Sequence, residues 1–224
     1  MSMPLELAFS TLRARIAAAA STPVQLVAVS KRQSTAAIVA VAALGQRDFG
    51  ENYVQEALGK IREISDPTLQ WHLIGPLQSN KCQWVAEHFD WLQSLDRASL
   101  VAPLARFRPD GKAPLNVLIQ VNIDDEDSKS GIAPEAIEPL AAAIELQPRL
   151  KFRGLMAIPR PAPDLSARRA SFRRLRECFD AVRARHAQID TLSMGMSEDF
   201  ELAIAEGATL VRVGSALFGS RETR

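Results

Sequence analysis

Short apolar runs rich in β-branched residues alternate with longer amphipathic segments along nearly the whole chain, and this alternation restricts the folds open to it. The clearest apolar runs are residues 24–30 (VQLVAVS), 69–74 (LQWHLI) and 115–122 (LNVLIQVN). A strand that is apolar throughout is covered on both faces, as happens in a parallel sheet with crossover helices. The pattern therefore predicts an α/β fold.

Eight strand–helix units follow one another in the chain. Strands are predicted at residues 24–30, 48–49, 69–74, 89–95, 115–122, 152–158, 191–194 and 210–213. Helices are predicted at residues 34–44, 51–64, 80–88, 97–107, from 134 onward, 165–187 and 198–205. Leu5, Phe9, Leu12 and Ile16 recur at helical spacing, which predicts one extra helix before the first strand.

Eight such units favour a closed (β/α)₈ barrel, the TIM barrel, with that extra N-terminal helix. The chain has 224 residues, whereas such barrels typically have ~250. An open doubly wound sheet is the nearest competitor, but it usually has a glycine-rich turn after the first strand. This chain has Ser30-Lys31-Arg32 there. No linker interrupts the series, so we expect a single domain over residues 1–224.

Composition excludes several classes of protein. Lys plus Arg number 27 and Asp plus Glu 26, a net charge of +1, which argues against a dedicated nucleic-acid binder. Apolar residues make up 47% of the chain, enough to exclude disorder. No apolar run approaches the ~20 residues of a membrane span. The two cysteines, Cys82 and Cys178, lack metal-ligand spacing, so we expect a cytoplasmic protein without a metal.

Barrel active sites lie at the carboxyl ends of the strands, and Lys31 directly follows the first predicted strand. Apolar surroundings favour the neutral amine of a lysine, which can attack an aldehyde to form a Schiff base. A surface lysine just past a strand end is an equally good interpretation of this position by itself.

The end of the eighth strand favours the reactive interpretation. Arg212, Gly214 and Ser215 lie there, where loops seven and eight of this fold commonly bind phosphate. Ser197 follows the seventh strand and is either a phosphate ligand, a helix N-cap, or both. A lysine and a phosphate site at one barrel mouth suit a phosphorylated aldehyde.

Three other features are predicted to have no role in a site. His72 lies within a strand without an identified carboxylate partner, so packing or hydrogen bonding is its default role. The acidic run at residues 124–127 lacks the spacing of a calcium loop. The predicted helix at 165–187 is rich in arginine, which indicates a solvated face, with a weak RNA or acidic-partner surface as the alternative.

Six blocks of the chain, taken together and in order, resemble the pyridoxal phosphate homeostasis protein family. The blocks are VAVSK (27–31), FGENYVQE (49–56), WHLIGPLQSNK (71–81), GLMAIP (154–159), LSMGMSED (192–199) and VRVGSALFG (211–219). This family is related to the barrel of alanine racemase, the type III fold of pyridoxal phosphate proteins. The resemblance spans nearly the full chain.

The resemblance implies that Lys31 holds pyridoxal 5′-phosphate as a Schiff base and that Arg212 lies against the pyridine nitrogen. It places Ser197, Gly214 and Ser215 around the phosphate and Asn52 near the ring. A guanidinium disfavours a proton on the pyridine nitrogen, which leaves the ring a weaker electron sink. The family also lacks the second domain of the racemases, which supplies a catalytic tyrosine. The one tyrosine here, Tyr53, belongs to the second-strand loop.

These features favour a cytoplasmic, monomeric carrier of vitamin B6 cofactor over an efficient enzyme, with pyridoxal phosphate as its ligand and apo-enzymes as transient partners. A type III amino-acid racemase with weak activity is the alternative. A Schiff-base aldolase acting on a sugar phosphate is the third hypothesis, although its lysine would more often lie on a late strand.

Overall fold

The computed structural model describes residues 3–124, 130–160 and 164–219. Within these ranges, eight strands alternate with helices. The strands are β1 (Gln25–Val29), β2 (Asp48–Glu51), β3 (Gln70–Leu73), β4 (Trp91–Leu95), β5 (Leu115–Gln120), β6 (Leu150–Met156), β7 (Thr191–Ser193) and β8 (Leu210–Val213). The helices are α1 (Leu5–Ala19), α2 (Thr35–Ala43), α3 (Val54–Ile64), α4 (Cys82–His88), α5 (Val101–Phe107), α6 (Ile137–Glu145), α7 (Leu165–Arg183), α8 (Phe200–Ala205) and α9 (Ser215–Phe218).

The strands close into a parallel barrel in chain order. Each strand pairs with the next, and β8 returns to pair with β1 through the register Val27↔Arg212 and Ala28↔Val213. The predicted TIM barrel with an extra N-terminal helix is therefore confirmed, and the open doubly wound sheet is wrong. Every strand runs in the same direction, so all eight carboxyl ends open on one face of the barrel.

The apolar core has two parts. The larger part joins strands to the surrounding helices and includes Phe49, Phe89, Phe172 and Phe200, all fully buried. A smaller separate cluster of Trp91, Leu118 and Met156 comes from strands alone. Buried polar side chains on the strands, among them His72, Gln93 and Arg212, fill another part of the barrel.

Helix α1 packs against α8 and α9 rather than extending from the barrel. Leu12 and Ile16 are buried, and Arg15 donates to both carboxylate oxygens of Glu201 at 2.8 and 2.9 Å. The Arg15 guanidinium also lies 4.7 Å from the centre of the Phe200 ring. Among the helices of the described ranges, none has the length and apolar character needed to cross a membrane.

Several predicted boundaries were wrong. Glu51 is the last residue of β2 rather than the first of a helix, because its side chain is buried by contacts with other strands and helices. Short 3-10 turns precede α4, α5 and α6, with Pro134 opening the last of these as its start signal predicted. Helix α7 ends at Arg183 rather than at residue 187.

Gly154 in β6 provides a test of how closely β6 and β7 pack in the barrel. Its φ is +140°, and an added Cβ would lie 2.1 Å from the backbone oxygen of Thr191 on β7. We expect Gly154→Ala to lower the free energy of unfolding by about 3 kcal/mol, because both the backbone and the neighbouring strand must move. Urea denaturation would measure the loss.

Gly59 in the exposed part of α3 is the matched control. No atom lies within 4 Å of the Cβ that alanine would add there. Since alanine is the better helix former, Gly59→Ala should stabilise the protein by about 0.5–1 kcal/mol. Equal effects of the two substitutions would contradict the packing described for β6 and β7.

Candidate functional site

A cavity of about 420 Å³ opens at the carboxyl ends of the strands. This volume lies in the range of small-molecule sites. Residues at the carboxyl ends of β1 and β8, or in the segments that follow β1, β6, β7 and β8, form its wall: Val29, Lys31, Gln33, Pro159, Arg160, Arg168, Met196, Ser197, Glu198, Asp199, Arg212, Gly214, Ser215 and Gly219. The cavity therefore occupies the face on which barrel proteins build their sites.

The structure brings most of the predicted site residues together. The cavity wall includes Lys31, Ser197, Arg212, Gly214 and Ser215. Asn52 is the exception, because it is not among the residues lining this cavity, and its role near the ring stays a prediction. Its Oδ1 atom is buried without a hydrogen-bond partner among the described residues.

Lys31 lies in a tight turn directly after β1. The turn is closed by a hydrogen bond from Gln33 N to Ser30 O at 2.9 Å. Arg32 has a φ of +61°, a left-handed conformation that is uncommon for a residue with a side chain. The backbone N–H of Arg32 donates to Glu56 Oε1, so a side chain from α3 holds this conformation in place.

A buried group of charged residues beneath the turn supplies that anchor. Lys60 Nζ donates to Ser30 O at 2.7 Å, to Glu51 Oε1 at 2.8 Å and to Glu56 Oε1 at 2.7 Å. Ser30 Oγ donates to Glu51 Oε1 at 2.6 Å. The two carboxylates and the ammonium thus fix the backbone on both sides of Lys31.

Glu51 is the most deeply buried member of this group, with no solvent exposure. Burial raises the pKa of its carboxyl group, while hydrogen bonds from Lys60 and Ser30 oppose that rise. Its second oxygen, Oε2, has no hydrogen-bond partner within the described ranges. Glu51, Glu56 and Lys60 were not predicted from the sequence as positioning residues. The four-residue spacing of Glu56 and Lys60 on one helix was the available signal.

Arg212 lies at the cavity floor with 3% of its surface exposed. Its Nη1 donates to Ser193 Oγ at 2.5 Å and its Nη2 to the backbone oxygen of Ala157 at 2.9 Å. Burial lowers the pKa of Arg212 to about 10, an effect that Asp199 partly opposes. The guanidinium therefore remains a cation at neutral pH.

Ser197 joins the loop after β7 to the start of α9. Its Oγ accepts hydrogen bonds from Gly214 N at 3.2 Å and Ala216 N at 3.4 Å. The predicted N-cap role is wrong: α8 begins after Asp199, which accepts instead from Met196 N at 2.8 Å. Two backbone donors and a hydroxyl thus converge at the cavity wall, an arrangement that binds anions.

Arg160 and Arg168 also line the cavity, and neither was predicted from the sequence to do so. Arg168 Nη1 lies 3.9 Å from Asp199 Oδ2 across the cavity wall. The solvated face predicted for the arginine-rich helix is found at Arg169, Arg173 and Arg174, which are exposed and pair with Glu206 or Asp124. Residues 125–127 of the acidic run lie outside the described residues. In the part of the chain that the structure describes, no three His, Cys, Asp or Glu side chains are grouped to hold a metal.

The fold and the cavity define a βα-barrel protein with a cationic small-molecule site at its carboxyl face. Residues 10–222 match the family described as alanine racemase, N-terminal domain. At higher similarity, the chain is 53% identical over 199 residues to the pyridoxal phosphate homeostasis protein of Pseudomonas aeruginosa, covering 89% of this chain and 85% of that one. The chain belongs to the pyridoxal phosphate homeostasis protein family.

Two further relatives support this assignment. The Escherichia coli protein of the same name is 50% identical over 202 residues, covering 89% of this chain and 86% of that one. PipY of Synechococcus elongatus, solved with pyridoxal phosphate bound, is 37% identical with a TM-score of 0.85, covering 96% of this chain and 100% of that chain. The resemblance predicted from the six sequence blocks is confirmed.

Alanine racemase itself shares the barrel alone. The Corynebacterium glutamicum enzyme has a TM-score of 0.73 at 17% identity, and the match covers 96% of this chain but 60% of the racemase. At this identity the likeness establishes the fold. The names of the closer relatives are those of homeostasis proteins rather than of enzymes.

The charged group beneath Lys31 yields a prediction about stability. Lys60→Met removes the cation between Glu51 and Glu56, which leaves a buried carboxylate without its counter-charge. We expect the free energy of unfolding at pH 8 to fall by about 3 kcal/mol. Urea denaturation would measure this, with Lys151→Met, at an exposed lysine of β6, as the control expected to change stability little.

The loss should shrink as the pH falls. A carboxyl group whose pKa is raised in the folded protein takes up its proton before the unfolded chain does, so acid favours the folded state. Protonated Glu51 no longer needs a counter-charge. A deficit in Lys60→Met that stays constant or grows between pH 8 and pH 5.5 would contradict this account.

Proposed function

We propose that the protein binds pyridoxal 5′-phosphate in the carboxyl-face cavity, with Lys31 holding it as a Schiff base, and that it serves intracellular homeostasis of this cofactor. The observation that carries the proposal is that Lys31, Arg212 and the Ser197–Gly214 contact all face one cavity. An amine, a buried cation and an anion-binding loop match the aldehyde, the pyridine ring and the phosphate of this molecule.

The phosphate is assigned to the loop after β8. The N–H groups of Gly214 and Ala216, which donate to Ser197 Oγ, would donate to phosphate oxygens, with the Ser197 and Ser215 hydroxyls beside them. Gly214 suits this position because an added Cβ would lie 3.2 Å from the backbone oxygen of Val29. A larger residue would push the loop away from the end of β1, where Lys31 begins its turn.

When bound, pyridoxal phosphate supplies an aldehyde that condenses with amines and a ring that withdraws electrons. Lys31 would bind the aldehyde carbon through Nζ, with loss of water. Arg212 would orient the ring with a charged group that can only donate, which disfavours a proton on the ring nitrogen. The chain's residues therefore favour retention of the cofactor over strong electron withdrawal.

Efficient racemisation needs a second acid–base group opposite the lysine, and Tyr53 is poorly placed for this. Its side chain is 53% exposed, and it is not among the residues that line the cavity. The carboxylate of Asp199 is engaged by Met196 N and Arg168. We infer a protein that stores cofactor and passes it to apo-enzymes, with the racemase as the second candidate.

Reduction with borohydride tests the role of Lys31. Protein incubated with pyridoxal phosphate and then reduced should carry one pyridoxyl group on Lys31, located by peptide mass spectrometry. Lys31→Ala should lose this modification, and Lys151→Ala, which alters an exposed lysine of β6, should retain it. A pyridoxyl group fixed mainly on another lysine of the wild-type protein would overturn the assignment, as would undiminished labelling of Lys31→Ala.

Deuterium exchange separates a carrier from a racemase. In heavy water, the protein loaded with cofactor should exchange the Cα proton of alanine no faster than free pyridoxal phosphate does, and it should restore activity to an apo-enzyme. Proton NMR would follow the exchange. Exchange at rates of about 1 s⁻¹ or more, which are typical of enzymes, would favour the racemase instead.

A further inference from the structure

A continuous line of hydrogen bonds crosses the barrel interior from the floor of the cavity. Arg212 Nη1 contacts Ser193 Oγ at 2.5 Å, and Ser193 Oγ contacts Gln93 Oε1 at 2.7 Å. Gln93 Nε2 then lies 2.9 Å from His72 Nδ1, and His72 Nε2 lies 3.0 Å from Asp48 Oδ1. We call these five residues the interior relay. Five different strands, β8, β7, β4, β3 and β2, supply them.

All hydrogen bonds of the interior relay point the same way, because Arg212 at one end can only donate and the Asp48 carboxylate at the other end accepts. Arginine can only donate, so Ser193 Oγ accepts from Arg212 and has its own proton to give to Gln93 Oε1. The amide nitrogen of Gln93 consequently donates to His72 Nδ1. His72 then carries its proton on Nε2 and donates it to the carboxylate of Asp48. The hydrogen-bond pattern thus assigns the tautomer of His72.

The three central residues of the interior relay are shielded from water, and Arg212 is nearly so. His72, Gln93 and Ser193 have no solvent exposure, and the His72 ring stacks on Trp91 with centroids 5.2 Å apart and planes 9° apart. A buried polar group without a partner is costly, so each side chain depends on the next for its orientation. His72 thus has the packing and hydrogen-bonding role predicted for it, and Asp48 is its carboxylate partner.

Asp48 holds the end of the interior relay that lies away from the cavity. It is the first residue of β2, whereas Arg212 lies toward the carboxyl end of β8. Asp48 Oδ1 also accepts from Gln25 Nε2 at 2.8 Å, which holds the carboxylate from a second strand. The interior relay therefore runs from the amino end of the barrel to the cavity and terminates in an acceptor that is itself constrained.

We propose that Ser193, Gln93 and His72 are positioning residues that hold the Arg212 guanidinium against the bound cofactor ring, with Asp48 setting the tautomer of His72 that this requires. The proposal rests on the proposed function, since the cofactor is the group that Arg212 would face. Arg212 has two of its donors committed to Ser193 and Ala157, so its remaining N–H groups have a defined direction. Loss of the Ser193 link would release the guanidinium to turn.

Imidazole nitrogen chemical shifts test the interior relay without cofactor. The chain has 3 histidines, so long-range ¹H–¹⁵N spectra of the ¹⁵N-labelled protein can be assigned with His72→Gln, His88→Gln and His186→Gln variants. His72 should be protonated on Nε2 alone. Gln93→Glu, which cannot donate to Nδ1, should move a proton onto that atom. A wild-type His72 protonated on Nδ1 would overturn the proposed direction.

Cofactor titration followed by absorbance tests the positioning. Ser193→Ala and Gln93→Glu should each weaken binding of pyridoxal phosphate by about tenfold and shift its absorption band, because the cation beside the ring is displaced. Ser193→Ala should leave the tautomer of His72 unchanged. His88→Gln, on α4 and outside the interior relay, is the matched control and should alter neither quantity.

The outcomes separate this inference from the proposed function. If the wild-type protein binds cofactor normally but both variants bind it within twofold, with the same spectrum, the positioning role is overturned and the proposed function stands. If the wild-type protein fails to bind, the proposed function and the role of the relay toward the cofactor both fall. Should Gln93→Glu not fold, Ser193→Ala decides the outcome.

Discussion

A buried guanidinium determines how the interior of this barrel is built. TIM barrels are commonly filled by layers of bulky apolar side chains, and Trp91, Leu118 and Met156 follow that rule in one part of this barrel. Arg212 is almost fully buried, and a charge in that environment is tolerated only when its donors are satisfied. Its nearest acceptor, Ser193, must itself be satisfied, so one polar residue inside the barrel requires another until Asp48 ends the series.

The two cations assigned to the cofactor are fixed by different means. Arg212 is held through its side chain, by one acceptor on β7 and another directly after β6. Lys31 is held through the backbone of its turn, which Glu56 and Lys60 anchor from α3. This difference suits their proposed roles. Lys31, which would react covalently, needs a fixed backbone but a side chain that can move. Arg212, which would orient the ring, needs a guanidinium fixed in place.

The barrel could be predicted from the sequence because its strands are buried on both faces. Each such strand is therefore an uninterrupted run of apolar residues, which is visible in the sequence of that strand alone. The same rule located Lys31, Ser197, Arg212 and Gly214, since strand ends meet at one face whatever their separation in the chain. Asp48 and Gln93 were not predicted because their partners lie on other strands: Ser193 and Gln93 are 100 residues apart in sequence. Strand register decides which of these side chains meet, and hydrophobic periodicity alone does not specify register.

The barrel alone does not decide between storing a cofactor and using it, because alanine racemase has the same fold. The difference must therefore lie in the groups around the ring. A cation beside the pyridine nitrogen limits electron withdrawal, and a carbanion formed on such a ring would need acid–base groups on both faces to make up the deficit. Lys31 would provide one such group in the proposed site, whereas Tyr53 lies outside the cavity wall. The proposed site would retain its ligand through an imine bond and a phosphate contact, neither of which requires a Cα–H bond to break.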